Sequence, residues 1–174
     1  MKNIDQQLNW IDSGGGPLIL LEQTALKDWQ GSSLEQEPDD YDRACAVKDY
    51  IGLIKVGDRE AIVLGDEPMT TAWFPSANQP GGIIVCWGCA DSEADVIQAL
   101  SAIPEEVWSD TGLSFQVGKT PLVLFDSAYP GENMEESLRI NLEEGQYAIS
   151  TAEYEPNEET SLILHRLELV VRGE

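Results

Sequence analysis

Trp10-Ile11-Asp12-Ser13-Gly14-Gly15-Gly16-Pro17-Leu18-Ile19-Leu20-Leu21 is the stretch from which the fold can be read. Residues 8–12 predict a short strand. The three glycines then supply a turn that can take positive φ, and Pro17 forbids a helix beyond it. Residues 17–21 start a second, buried strand. Only Asp12 and Ser13 carry chemistry. A glycine run followed by proline, with neither lysine nor a helix start directly after it, reads as a tight turn and not as a phosphate cradle.

Apolar runs at 51–56 and 60–64 flank Gly57-Asp58 and predict a hairpin. Residues 70–74 and 82–87 form another strand pair, linked through Pro75 and the Gln79-Pro80-Gly81 turn. Further strands are expected at 113–117, 121–125, 138–142, 146–154 and 161–171. Turns at Glu143-Glu144-Gly145 and Glu155-Pro156-Asn157 make their neighbours antiparallel. Two short helices complete the reading. One covers 22–29 with Gly31 as its stop. The other covers 92–103, capped by Asp91 or Ser92, with Val96, Ile97 and Leu100 on its apolar face and Pro104 ending it. Residues 32–40 read as a polar, acidic loop. The fold class is α+β, a mainly antiparallel sheet with two short helices, in one domain spanning 1–174.

The chain has 174 residues, and its hydrophobic fraction of 42% is enough for a real core. Its acidity is therefore not a mark of disorder. Ten basic residues against 32 acidic ones give a formal net charge of −22. Such a surface repels nucleic acid and anionic lipid, so no direct nucleic-acid or membrane contact is expected. Its natural macromolecular partner is basic. Residues 1–7 lack the apolar core of a signal peptide, and no apolar run approaches bilayer-spanning length. The three cysteines are expected as reduced thiols, and the expected compartment is the cytoplasm.

Each residue type that could carry chemistry has a plainer role open to it. Cys86-Trp87-Gly88-Cys89 has redox spacing before a helix, but Cys86 falls inside a strand and no βαβ unit precedes it. A zinc site would need Cys45 and His165 brought from distant segments to Cys86 and Cys89. His165 is the sole histidine and lies in an apolar strand, where a structural role is favoured. Carboxylate pairs among 32 acids arise by chance and diagnose nothing. No catalytic residue, metal or cofactor is expected. Trp29 and Trp73 lie near element ends, where an aromatic ring either packs in the core or anchors an interface.

Further segments carry a resemblance. They are Tyr41-Asp42-Arg43-Ala44-Cys45-Ala46-Val47, Asp49-Tyr50-Ile51-Gly52-Leu53-Ile54, Val63-Leu64-Gly65-Asp66-Glu67-Pro68 and Thr71-Ala72-Trp73. Pro121-Leu122-Val123-Leu124-Phe125-Asp126-Ser127-Ala128-Tyr129-Pro130-Gly131 and Ser161-Leu162-Ile163-Leu164-His165-Arg166-Leu167 follow. With the opening stretch, they resemble the immunity protein 21 family of bacterial polymorphic toxin systems, from about residue 10 to 169. The resemblance implies a toxin-neutralising protein and supplies no catalytic residues.

The expected mechanism is stoichiometric binding of a cognate basic toxin domain, with a nuclease preferred because its cleft must hold phosphates. Expected contact residues are Glu35, Glu37, Asp39, Asp40, Asp42, Asp66 and Glu67, with Trp73 as an apolar anchor. As loop acids, those at 35–42 are expected to be exposed. Two alternatives stay open: an acidic nucleic-acid mimic acting on a host DNA-binding protein, and a small enzyme that reverses toxin damage. A structural His165 has a testable consequence. His165→Ala should leave affinity for the partner within about tenfold, or 1.4 kcal/mol, by calorimetry, and a larger loss would place the imidazole in the interface.

Overall fold

Leu18 to Leu21 are apolar without alternation, so a strand made from them must be covered on both faces. The computed structural model, which describes residues 7–65 and 68–170, places them that way. Strand β1 is Trp10–Ile11 and β2 is Leu18–Glu22. They are followed by β3 (Gly52–Val56), β4 (Arg59–Leu64), β5 (Thr70–Pro75) and β6 (Gly81–Cys89). Then come β7 (Ser109–Val117), β8 (Leu122–Asp126), β9 (Ser137–Ile140), β10 (Gly145–Asn157) and β11 (Thr160–Leu169). Two antiparallel sheets result, one of six strands in the order β1-β5-β6-β11-β10-β7 and one of five in the order β3-β4-β2-β8-β9.

The opening stretch therefore feeds both sheets: β1 lies at the edge of the six-stranded sheet and β2 at the centre of the other. All five residues of β2 are buried. Leu18 and Leu20 meet Ile84, Phe115 and Tyr147 in a core between the sheets. Ile19 and Leu21 point to the opposite face and join Ala25, Trp29, Ala44 and Phe125 in a second core. Each such side chain contributes about 1.5–3 kcal/mol when fully buried. A third core lies on the far face of the six-stranded sheet, where Val85, Leu162 and Leu164 pack under Val96 and Leu100.

Helices α1 (Asp40–Cys45) and α2 (Glu93–Leu100) cover the two outer faces, α1 together with a 3₁₀ turn at Gln23–Asp28. Helix α2 fits the sequence reading: Ser92 caps it by accepting from the Asp95 amide at 3.2 Å, and Val96, Ala99 and Leu100 are buried. The helix expected at 22–29 is a correction. Glu22 belongs to β2, and the next six residues wind as 3₁₀ with no side-chain cap before Trp29 enters the core. The indole of Trp29 is 1% exposed and donates to the Ser127 carbonyl at 3.0 Å, so its role here is core packing. Several strands run longer than read from sequence, chiefly β7 and β10, while β1 is shorter. Residue 171, the expected end of the last strand, lies outside the described residues.

The glycine turn is pinned by Asp126 at the end of β8. Its carboxylate accepts from the Gly14 amide at 2.8 Å and the Ala128 amide at 3.0 Å. Ser127 donates its amide to the Pro17 carbonyl at 3.1 Å, and its hydroxyl to the same oxygen. A Cβ on Gly16 would run into the Tyr41 ring, 2.8 Å from Cζ, so the turn and α1 approach closely only because that side chain is absent. Asp126→Ala should lower stability by about 1–3 kcal/mol in urea denaturation, because it strips acceptors from two amides of the crossing. An unchanged midpoint would mean that the turn is held elsewhere.

Candidate partner-binding surface

After Trp29 the chain must leave the core and return to start α1. Carboxylates close the base of the loop it makes. The Gln30 amide donates to Asp40 Oδ2 at 2.8 Å, and the Ser33 amide donates to Asp39 Oδ2 at 2.8 Å. Between them the Tyr41 amide reaches the Gly31 carbonyl at 3.2 Å. Gly31 has φ 65°, and a Cβ there would meet the backbone of Ala128 and Tyr129, so no other residue fits without a shift. Asp39 also caps α1: it accepts from the Asp42 amide at 2.7 Å while the Asp42 side chain accepts from the Asp39 amide at 3.1 Å. This reciprocal capping box fixes the helix start. The Ser33 and Asp42 amides hold the Asp39 carboxyl below the usual carboxylate range.

These contacts divide the acids that the sequence groups together. Asp39 and Asp40 are 7% and 8% exposed, so the expectation that they stand free at the surface is corrected. Asp40 is further tied to Arg43 at 3.0 Å. Glu35 and Glu37 are exposed on the loop they close, and Asp42 is exposed at the first turn of α1. Asp66 and Glu67 lie outside the described residues. Trp73 is partly buried on β5, its ring lying over Gly82 and packing against the inter-sheet core.

Sequence reasoning missed two features. Helix α1 was legible in Asp39-x-x-Asp42, a capping-box spacing with Asp in place of the usual Glu. Leu34 was passed over as part of a polar loop, yet its side chain is fully exposed beside Glu35. The result is a surface loop whose ends are clamped and whose outer part offers one apolar side chain among carboxylates.

Charge is unevenly mixed over the two sheets. Residues 68–117 and 145–170, which build the six-stranded sheet apart from β1, hold eleven acids and one basic residue, Arg166. Residues 17–65 and 118–144, which build the other sheet, hold sixteen acids and seven basic residues. Arg166 is already engaged, 2.8 Å from both Glu105 and Glu168 and 4.4 Å from the centre of the Trp108 ring.

The residues weighed for chemistry lie apart from one another or are buried. Cys86 is buried in β6, and burial pushes its thiol up to about 12, the reverse of what a nucleophile needs. Cys89 and Cys45 are exposed and free. No group of three or more His, Cys, Asp or Glu side chains gathers as a metal site among the described residues. His165 is 1% exposed, with Nδ1 2.8 Å from the Thr151 hydroxyl. No helix among the described residues is long and apolar enough to cross a membrane.

Comparison with known proteins gives the class of this two-sheet fold. The model of the family Immunity protein 21 matches residues 9–160, and the chain belongs to that family. It is thus an immunity protein of a toxin system, with a cognate toxin as its partner. The match stops at the first residue of β11, so the Ser161 to Leu167 segment that contributes to the resemblance lies beyond it. No curated protein and no solved structure matches the chain.

Burial lowers the His165 pKa from 6.5 to about 4. The folded state therefore favours the neutral ring. Its contribution to stability is complete above pH 6.5 and is lost as pH falls toward 4, because the unfolded chain takes up the proton first. Stability relative to a His165→Gln variant should fall by about 3 kcal/mol across that window, measured by urea denaturation at stepped pH, while the many carboxylates cancel in the comparison. A difference that stays flat with pH would contradict a neutral, buried ring.

Proposed function

We propose that this chain neutralises a basic toxin domain in the cytoplasm by direct one-to-one binding, without cofactor or catalysis. Its acidic surface covers the toxin's substrate-facing cations and excludes the substrate. A nuclease is the preferred target, since an enzyme that grips phosphates must display lysine and arginine where it works.

The observation that carries this reading is the clamped loop with Leu34, Glu35 and Glu37 exposed. Opposite charge steers encounter, with association rates up to about 10⁸–10⁹ M⁻¹s⁻¹ at low salt. Charge alone separates one toxin from another poorly, so discrimination falls to apolar contacts such as Leu34 and the partly exposed Trp73. Asp42, Asp66 and Glu67 extend the proposed acidic contact. Asp39 and Asp40 contribute by holding the loop, because their oxygens already serve backbone amides.

Rapid-mixing kinetics with the cognate toxin domain test the proposal. The association rate should fall at least about tenfold between low and high salt, and Glu35→Lys with Glu37→Lys should lower it similarly at low salt. Association indifferent to both salt and charge reversal would overturn an electrostatic basis. An enzyme that undoes damage would instead protect at far below one equivalent of toxin.

A further inference from the structure

Each sheet ends in two edge strands, and an edge presents unpaired amides and carbonyls to any strand that meets it. Short length, basic side chains and proline are the usual guards of such an edge. Three of the four edges among the described residues are guarded in one of these ways. β1 is two residues long. β9 has four residues and carries Arg139. β3 carries Lys55, whose carbonyl faces away from β4 and accepts from the Arg43 guanidinium. The fourth, β7, has nine residues without lysine, arginine or proline.

The strand beside β7 fixes which of its backbone groups point outward. The Gln146 carbonyl accepts from the Val170 amide at 2.7 Å, so Gln146 of β10 faces β11 and turns away from β7. Gln116 stands opposite Gln146, and Ser114 stands opposite Ala148. In an antiparallel ladder, pairs that exchange hydrogen bonds alternate with pairs that do not. Gln116 and Ser114 belong to the second kind and aim their amides and carbonyls away from β10. No turn, loop or side-chain bond among the described residues takes those groups up.

The side chains of Ser114 and Gln116 are exposed, while Phe115 and Val117 are buried in the inter-sheet core and anchor this part of the strand. A bulge breaks the register nearer the start of β7. There the Thr111 hydroxyl accepts from the Leu113 amide at 3.0 Å and donates to the Ile149 carbonyl at 2.7 Å. Residues 114–117 keep regular pairing with 145–148, which leaves a short, straight and unguarded edge.

We propose that a strand of the toxin adds to this edge and extends the six-stranded sheet beside β7. Main-chain hydrogen bonds to Ser114 and Gln116 hold it, and its alternate side chains set the register. The proposal rests on the reading of a basic toxin partner and names how that partner is held. Charge selects this occupant over a second copy, because two chains of formal net charge −22 repel while a basic strand is attracted.

Amide hydrogen exchange on the ¹⁵N-labelled chain, free and bound to the cognate toxin domain, tests it. In the free chain, a monomer by sedimentation, the Ser114 and Gln116 amides should exchange fast. In the complex both should slow at least about tenfold, as amides do on entering a ladder. Protection already present in a dimer of the free chain would give the edge to a second copy and overturn the proposal. Toxin bound with both amides still fast would refute the edge and leave the proposed function standing. No binding at all would remove both. Ser114→Pro is the independent check, since it deletes an outward amide that the pairing with β10 does not use. With its urea midpoint retained, this variant should bind the toxin at least about tenfold more weakly, and unchanged affinity would contradict the added strand.

Discussion

A strand buried on both faces requires cover on both sides, and β2 imposes that requirement on the rest of this molecule. Its residues alternate between two cores, so the five-stranded sheet must pack against a second sheet on one face and against α1 and its neighbouring turn on the other. The six-stranded sheet then has an outer face of its own, which α2 closes. The glycine turn makes this possible by carrying the chain between sheets within a few residues. Asp126 and Ser127 hold it from the end of β8, so the same strand that pairs with β2 also fixes how β2 is entered.

The acids of this chain divide by what their oxygens already bind. Glu22, Asp39, Asp40 and Asp126 are buried and accept from backbone amides. They stabilise loops that no apolar packing could shape, because an amide taken out of water needs an acceptor. Glu35, Glu37, Glu153 and Glu155 are exposed and outside any ion pair among the described residues, so a partner's cations can reach them. Net charge alone does not make this division. Seven basic residues are interspersed through the segments that build one sheet and a single engaged arginine through those that build the other apart from β1, which leaves the second the less neutralised.

Much of the fold was legible because strand patterns are local. The hairpin at Gly57-Asp58, the cap at Ser92 and the apolar run of β2 each carry their signal within a few residues. What stayed hidden depended on distant contacts. Trp29 ends a 3₁₀ turn and not a helix, its indole bonded to Ser127 far along the chain. Asp39 and Asp40 read as two more acids in an acidic loop, since the amides they accept from are neighbours only after the loop closes. Leu34 was invisible for the opposite reason: a lone leucine in sequence carries no sign of whether it will find a core.

A surface rich in carboxylates that stand outside any ion pair among the described residues fits a protein that covers another's cations. The central claim is that a basic toxin domain is what it covers. The most direct test is a tagged pull-down from the native producer cells, eluted by a salt gradient, with the eluate identified by mass spectrometry. The account predicts a stoichiometric partner that leaves with salt and maps to a basic toxin domain. A housekeeping DNA-binding protein in its place, or no stoichiometric partner at all, would contradict it.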